Sequence, residues 1–428
     1  MGLKRFAIFL LCHLVAVSEC YGDLLQNDNL LDMELNELMN LEVTSAGKKK
    51  QRLSEAASAV FVITQEDLRR SGVTSIAEAL RMVPGLQVAR IDANKWAVGS
   101  RGFLGLSGRF ENKLLVLIDG RSIYTPLFSG VFWEMQDTML EDIDRIEVIR
   151  GPGATLWGTN AVNGVINIIT KNARETQGGL VAAGAGTEEK DFGRGRYGGK
   201  ISEDAYYRLY AKYADRDPAV FAGGEDAADG WNTLRSGFRL DREFVGHDAF
   251  TLQGDIFSTK VGETITTALA YPPFAETTDE KYTNRGGNLL GRWERKVSEA
   301  SAMALQMYYD RTEYNSNHFG SFVDTVDIDF QDRFKWMAGQ EIIWGLGYRN
   351  IFLNIDNSYA SSISPGKDNY DIVSTFLQDD IALIPERLNL ILGSKLEHND
   401  FTGVEIQPNA RLIWQADDRH SVWGAVSR

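Results

Sequence analysis

The chain has 428 residues, of which 43% are hydrophobic and 24% are charged, and its formal net charge is −14. This acidic balance argues against a nucleic-acid-binding protein, which would carry a basic patch or stripe. The length suits one large domain or two of medium size.

The amino terminus has the features of a secretory signal peptide. Two basic residues precede an apolar run over Phe6–Val17, and this run is too short to cross a bilayer as a helix. We place the signal at residues 1–20, with cleavage after Ser18 or, alternatively, after Cys20. The two cysteines of the chain are Cys12 and Cys20, so no disulfide or thiolate metal site is expected in the mature protein.

Residues 21–51 form an N-terminal segment with two parts. Leucines at roughly helical spacing, with acidic residues between them, predict an amphipathic helix over Asp23–Leu41. The sequence LEVTSAG, at Leu41–Gly47, is β-prone and predicts a short extended stretch before the lysines at 48–50.

Residues 52–174 predict a small mixed α/β domain. A strand over Val60–Ile63 is followed by a helix with Thr64 as its N-cap and Asp67 at the third helical position, and Gly72 ends this helix. A second helix follows, and further strands are predicted over Leu86–Arg90, Val98–Arg101 and Leu114–Asp119.

The stretch Asp144–Lys171 predicts a strand, a glycine-rich loop and a second strand. Gly153 and Gly158 have the spacing of a phosphate-binding loop, but the lysine and hydroxyl residue that such a loop needs do not follow. The dinucleotide fingerprint fails because Leu156 stands where the third glycine belongs. The loop is therefore not a phosphate site.

The whole string DRIEVIRGPGATLWGTNAVNGVINIITK closely resembles the end of the plug domain of TonB-dependent outer-membrane receptors. SRGF at Ser100–Phe103 and LLVLIDGR at Leu114–Arg121 are similar to other parts of that plug, and the resemblance runs from about Leu41 to the last residue. It implies an α/β plug domain followed by antiparallel transmembrane β-barrel strands of the 22-stranded barrel family.

From residue 175 to residue 428, alternation of apolar and polar residues replaces the helical pattern. In Ala205–Tyr213, Leu209 and Tyr213 share one face while Arg208 and Lys212 share the other. Long strands with charges on one face suit a membrane barrel with a polar lumen. Longer connections are predicted over Val261–Thr283 and Asn350–Tyr370.

This barrel stretch is shorter than the resembled family requires. At ~10 membrane residues per strand plus turns and loops, 22 strands need on the order of 450–550 residues, and alternation yields roughly a dozen strand candidates here. We therefore expect a partial barrel, that is, a receptor truncated at its carboxyl end.

The resemblance implies a TonB box, a short segment that pairs by strand addition with an edge strand of the inner-membrane energising protein TonB. The candidate is residues 41–46, which are Leu41, Glu42, Val43, Thr44, Ser45 and Ala46.

The resemblance also implies that arginines of the plug pair with a glutamate of the barrel and lock the plug in the lumen. The matching positions are Arg101 in SRGF, Arg150 in VIRGP and Glu397 in LGSKLEHND. The alternative is a set of independent, solvated charges.

Outward loops of the plug should meet the ligand, although their aromatic residues could equally pack against the barrel wall. The candidate ligand contacts are Trp96, Phe103, Phe110, Tyr124, Phe128, Phe132 and Trp133.

No catalytic constellation is apparent, so we do not expect an enzyme, a cofactor or a resident metal. Ser107 in GLSG is one residue short of a nucleophile elbow and has no histidine partner in view. Asp324, Asp327 and Asp329 are assigned to one face of a strand. Asp327 and Asp329 could form part of a calcium site, but a lumen or loop face is favoured.

These features together predict a receptor exported to the cell outer membrane. It would take up a scarce ligand with energy supplied through TonB and its inner-membrane complex, and its surroundings would be outer-membrane lipid. A ferric siderophore is favoured over cobalamin or another nutrient. Alternatives are a binding or signalling receptor without transport, a passive porin, and a non-functional truncated receptor.

Overall fold

The computed structural model describes residues 41–45, 47–102, 111, 113–151, 153–244, 246–316, 318–359, 361–417 and 420–428. The predicted signal peptide and nearly all of the predicted helix over Asp23–Leu41 lie outside these ranges. Within them, no helix is both long and apolar enough to cross a membrane.

The N-terminal segment folds back on the plug as a small hairpin. Strand β1 (Glu42–Val43) pairs antiparallel with β2 (Gln51–Arg52). Val43 is fully buried and packs in one cluster with Leu115 and Val165 of the plug. Of the extended stretch predicted over Leu41–Gly47, only Glu42–Val43 forms a strand, and Val43 packs against the plug.

A five-stranded mixed sheet forms the centre of the plug, in the order β3-β8-β9-β6-β7. Only the β6–β9 pair is parallel. The bounds are β3 Val60–Thr64, β6 Leu114–Ile118, β7 Arg121–Ser122, β8 Ile143–Arg150 and β9 Gly164–Thr170, with a separate hairpin of β4 Leu86–Arg90 and β5 Trp96–Ser100.

Helices α1 (Gln65–Ser71) and α2 (Ile76–Ala79) follow β3. Thr64 and Asp67 form the predicted capping box, and Gly72 ends α1 in the left-handed conformation. Short 3₁₀ turns lie at Leu53–Glu55, Leu80–Met82, Trp133–Met135, Leu140–Asp142 and Ala173–Thr176. The prediction of a mixed α/β domain is confirmed.

The stretch Asp144–Lys171 contains β8, a loop with the one-turn helix α3 (Ala154–Trp157), and β9, which pairs antiparallel with β8. Close packing at the start of β9 requires a glycine, because a Cβ at Gly164 would lie 2.4 Å from the carbonyl oxygen of Ile149. The strand–loop–strand prediction is confirmed.

Thirteen antiparallel strands then follow one another in sequence order and form a single sheet. They are β10 Gly178–Ala185, β11 Glu189–Ser202, β12 Ala205–Arg216, β13 Trp231–Glu243, β14 Asp248–Ala268, β15 Ala275–Ser298, β16 Ser301–Asn315, β17 Phe319–Met337, β18 Gln340–Asn357, β19 Lys367–Ile384, β20 Leu388–Asn399, β21 Gly403–Asp417 and β22 His420–Ser427. We call this sheet the wall.

The wall has a short-connection end, with residues 203–204 and 299–300 among its turns, and a long-connection end, with residues 217–230 and 358–366 among its loops. The two long loops predicted from the sequence were too long. The β14–β15 hairpin continues beyond Val261 to Ala268, so its connection is only residues 269–274. Likewise β18 extends to Asn357 and β19 begins at Lys367.

The wall buries charged side chains on one face and exposes apolar side chains on the other, which is the opposite of the usual arrangement in a soluble protein. On β12, Arg208 and Lys212 are each 4% exposed, whereas Leu209 is 52% exposed. On β20, Glu397 is 3% exposed and its neighbour Leu396 is 45% exposed. The charged face packs around the plug, and the apolar face points away from it, which confirms the predicted alternation.

Candidate functional site: the docked segment and the plug–wall interface

A buried carboxylate holds the N-terminal segment on the plug. Glu147, on β8, is fully buried. The amide of Ser45 donates to its Oε2 at 2.7 Å, and the amide of Thr44 lies 3.0 Å from each of its two oxygens. Arg145 donates to Oε1 at 2.8 Å. The segment is therefore bound through its main chain, by charge-assisted hydrogen bonds.

Ser45 has two further contacts with the plug. Its carbonyl oxygen accepts from the indole Nε1 of Trp157 at 2.8 Å, and its hydroxyl accepts from the side-chain amide of Asn167 at 3.0 Å. The structure thus brings residues 41–45 of the predicted TonB box together at one site, and Ala46 lies outside the described residues.

Two of the lysines that follow the box attach the same segment to the wall. Lys48 Nζ lies 3.4 Å from Asp329 Oδ2, and Lys49 pairs with both Glu341 and Asp380. Burial on its own lowers the pKa of Lys49, but the two carboxylates outweigh this effect and raise it. Glu341 lies at the start of β18, so the segment is held at the short-connection end of the wall. The sequence analysis did not predict these partners, because they lie hundreds of positions further along the chain.

Ion pairs with low solvent exposure also join the plug itself to the wall. Lys212 Nζ lies 2.6 Å from Asp137 Oδ2, and Arg196 Nη1 lies 2.5 Å from Asp142 Oδ1. Other plug–wall pairs are Arg121–Asp310, Lys95–Glu263 and Glu141–Arg194. The net stability that such pairs add is small, because the cost of removing the charges from water offsets their attraction.

The structure does not bring together the three residues of the predicted lock. Arg101 donates to the carbonyl oxygen of Arg150 at 3.1 Å, and Arg150 donates to that of Pro84 at 2.9 Å. Both arginines thus satisfy backbone acceptors inside the plug. Glu397 instead accepts from the hydroxyl of Thr159 and lies 3.8 Å from Lys395 Nζ. Of the predicted lock, only Glu397 links wall and plug.

Six of the seven predicted ligand contacts divide into three groups, and the seventh, Phe132, belongs to an aromatic cluster described below. Trp96 and Trp133 are buried in the plug core, where the Trp96 indole donates to Glu78, so neither is accessible to a ligand in this conformation. Phe128 is 38% exposed, and Tyr124 borders the open space beside the plug. Phe103 and Phe110 lie outside the described residues.

An aromatic cluster at the long-connection end joins the plug to the wall. The rings of Phe132 and Tyr314 stack with their centroids 5.4 Å apart, and those of Tyr314 and Phe319 are 5.2 Å apart. Phe128 meets the edge of this cluster through Phe132 and Phe319. Phe132 therefore packs within this cluster, although the sequence analysis gave it as a candidate ligand contact.

The three aspartates assigned to one face of a strand do not all lie on the same face. Asp327 accepts from Arg349 on the inner face, whereas Asp324 accepts from Tyr309, which is 42% exposed on the outer face. The prediction of one shared face was wrong, because residues 324 and 327 are an odd number of positions apart in a strand. Among the described residues no group of acidic, histidine or cysteine side chains could hold a metal ion. Ser107 lies outside them.

A large open cavity of about 1460 Å³ separates part of the plug from the wall. Its lining includes Lys48 of the N-terminal segment, Asp119 and Trp157 of the plug, and Asp327 and Glu397 of the wall. The interface is thus partly solvent-accessible, and the N-terminal segment borders the same space.

Comparison with known protein families gives two matches that together cover most of the chain. Residues 52–165 match the TonB-dependent Receptor Plug Domain, and residues 179–428 match the TonB dependent receptor-like beta-barrel.

Among curated proteins, the iron-regulated outer membrane virulence protein of Vibrio cholerae is 24% identical over 406 residues, which are 90% of this chain and 58% of that protein. The vitamin B12 transporter BtuB of Vibrio vulnificus is 26% identical over 216 residues, 50% of this chain and 32% of the relative.

Solved structures of similar fold include two receptors of Pseudomonas aeruginosa. The siderophore receptor PirA matches with a TM-score of 0.65 at 20% identity, over 86% of this chain and 61% of that one. A mutant of the ferric enterobactin receptor PfeA matches with a TM-score of 0.68 at 18% identity, over 87% and 62%. The chain spans less than two thirds of the length of each of these relatives.

Proposed function

The chain belongs to the TonB-dependent receptor family, and from this premise we propose that it is an outer-membrane receptor for the TonB-dependent uptake of a ferric siderophore. The observation that carries this proposal is that the wall turns its charged face towards the plug and exposes its apolar face. A sheet with buried arginines and exposed leucines is suited to lipid outside and to a polar interior, and the plug occupies that interior.

The orientation follows from the connections. Outer-membrane barrels have short periplasmic turns and longer extracellular loops, so the short-connection end would face the periplasm. The N-terminal segment is held at that end, through Lys49 and Glu341. This position supports an interaction of residues 41–46 with TonB, which would approach from the inner membrane and add its edge strand to the segment.

The ligand class is inferred from the extent of the similarities. The iron-regulated relative aligns over 90% of the chain, through both plug and wall, whereas the BtuB of Vibrio vulnificus aligns over 50%. The aromatic cluster at the long-connection end, with Phe128 partly exposed, also supports a ligand with flat aromatic groups. Cobalamin or another nutrient is the alternative.

Uptake assays in cells that lack their own siderophore and cobalamin receptors test this proposal. Cells producing the protein should accumulate radioiron from ferric enterobactin or another ferric siderophore, and they should stop doing so when tonB is deleted. Accumulation of labelled cyanocobalamin instead would establish the alternative ligand. Binding to the cells without accumulation would favour a receptor that signals without transport.

A further inference from the structure

We propose that three basic residues on the outward face of the wall, Lys260, Lys281 and Arg285, form a binding site for the phosphate group of an outer-leaflet lipid. We call these three residues the basic site. The inference rests on the proposed function because that function places the wall in a membrane, but it involves neither the transported ligand nor TonB.

The three side chains point away from the plug. Lys260 is exposed on β14 and lies between two residues that are fully buried on the inner face. The same alternation on β15 exposes Lys281 and Arg285 and buries Tyr282 and Asn284. Because successive side chains of a strand point to opposite faces, all three cations belong to the face that also exposes the leucines of the wall.

The strand register groups the three cations around Thr283. Lys260 is directly opposite Thr283 in the pairing of β14 with β15, and Lys281 and Arg285 are its neighbours on the same face of β15. Directly opposite Cβ atoms are about 5 Å apart, and positions two apart in a strand are separated by about 7 Å. Two ammonium groups, one guanidinium and one hydroxyl are thus held around one point, and phosphate oxygens accept from all of these groups.

The positive charges of the basic site are not neutralised by the protein. Within the described part of the chain, none of the three side chains forms a salt bridge. Glu313 is directly opposite Arg285, but it accepts from Arg311 at 2.9 Å. Asp279, further along the same face of β15, accepts from the hydroxyl of Thr264 at 2.6 Å. The basic site is therefore complementary in charge to an anion.

The basic site lies at one boundary of the apolar band of the wall. Strand β15 is described throughout, and its outward positions between Arg285 and Arg295 carry no charge, being Gly287, Leu289, Gly291 and Trp293. Ten residues of an antiparallel strand span about 34 Å, which is roughly 26 Å in height at a tilt of ~40° and agrees with the ≈ 25 Å band of outer-membrane barrels. The basic site is at the long-connection end of this band, which is the level of the outer-leaflet headgroups in the proposed orientation.

A lipid fits this surface better than a soluble anion does. Ile256 is 67% exposed and Leu289 is 49% exposed, and both lie four positions from the basic site towards the short-connection end. Acyl chains can pack on these side chains while the phosphate of the same molecule meets the cations, as basic clusters next to apolar surface do with lipid headgroups. A soluble anion would gain only the electrostatic attraction, which salt screens at an exposed site.

Binding of defined lipids to the full chain in dodecyl maltoside micelles tests the proposal. The probes are diphosphoryl lipid A, dephosphorylated lipid A with the same acyl chains, and inorganic phosphate, with bound molecules counted by native mass spectrometry. The test variant carries Lys260→Gln, Lys281→Gln and Arg285→Gln. The control is Arg295→Gln, which removes a cation from the outward face of the same strand at the other boundary, where it pairs with Asp248 at 3.3 Å.

We expect diphosphoryl lipid A to bind the triple variant about tenfold more weakly than the native chain, because the charge-assisted contacts to its phosphate are lost. Arg295→Gln should bind as the native chain does. Circular dichroism checks that the triple variant keeps its β-sheet content, and if it does not, the three single variants take its place.

Three results would overturn the proposal. Equal affinity of the basic-site variants and the native chain would exclude these cations, and equal binding of dephosphorylated lipid A would exclude the phosphate. Inorganic phosphate that binds as tightly as the lipid would make the occupant a free anion. Siderophore uptake does not enter this measurement, so failed uptake with intact lipid binding would refute the proposed function alone.

Discussion

Thr159, in the loop before β9, donates its hydroxyl hydrogen bond to Glu397 of the wall, which lies 238 positions further along the chain. Glu397 is 3% exposed, and its charge is balanced by Lys395 on its own strand, 3.8 Å away. At this contact the wall thus binds the plug through a neutral hydroxyl, while the cation that compensates Glu397 belongs to the wall itself.

We predict that Glu397→Ala loosens the plug. The substitution removes the acceptor of Thr159 and leaves Lys395 buried without its counterion, which costs about 3 kcal/mol. Urea-dependent proteolysis of the plug should then begin at a lower urea concentration. Glu276→Ala, which removes an equal charge from an exposed position on β15, is the control. Identical cleavage curves for the two variants would contradict the prediction.

Lys49→Met should free the N-terminal segment from the wall. Lys49 contacts Glu341 and Asp380, and removing one partner of a largely buried ion-pair cluster costs about 3 kcal/mol. Lys50→Met, at the adjacent exposed position, should have little effect. The rate of protease cleavage within residues 41–52 measures the difference between the two variants. Equal protection of both would show that the ion pairs of Lys49 do not hold the segment.

The attachment of Lys49 should persist at neutral pH and weaken in alkali. Its pKa in the docked state is raised above the ordinary 10.5, so its contribution is fully present below that value. The contribution is lost as the pH rises through the docked-state pKa. A spin label on Glu42→Cys should gain mobility above about pH 10.5 in the otherwise native chain. The Lys49→Met variant should show no such transition, and a transition of equal size there would assign it to another group.

Local features of this protein were predictable from sequence, and long-range contacts were not. The capping box of Thr64 and Asp67 spans three positions, and the alternation in Ala205–Tyr213 shows which residues face inward. By contrast, Lys49 and Asp380 are 331 positions apart, and no local pattern indicates their contact. Arg150 was predicted to reach Glu397 because both positions match motifs of the family, but a nearer acceptor, the Pro84 carbonyl, binds it.

Phe128 and Phe132 should respond differently to truncation, although they are close in sequence and in contact. Phe132 is 4% exposed and stacks on Tyr314, so Phe132→Ala should destabilise the plug by about 3 kcal/mol. Phe128 is 38% exposed, so Phe128→Ala should preserve stability and weaken binding of an aromatic siderophore about tenfold. Urea unfolding and ligand titration separate the two effects. A Phe128→Ala variant with unchanged affinity would remove this residue from the ligand site.

Gly164→Ala should prevent normal packing of β8 against β9. The added methyl would lie 2.4 Å from the carbonyl oxygen of Ile149 and 3.2 Å from Leu114 Cδ1. The first of these neighbours is backbone within a paired strand, so it cannot move without breaking the register of the sheet, and we expect a loss of about 3 kcal/mol.

Gly179→Ala, in β10, is the matched control, because a methyl there meets no atom within 4 Å. It should leave stability unchanged or raise it slightly, since alanine restricts the unfolded chain more than glycine does. Urea titration of protease resistance compares the two. Since β9 is the central strand next to both β8 and β6, a fully resistant Gly164→Ala plug would mean that this sheet tolerates a shift of the Ile149–Val165 pairing.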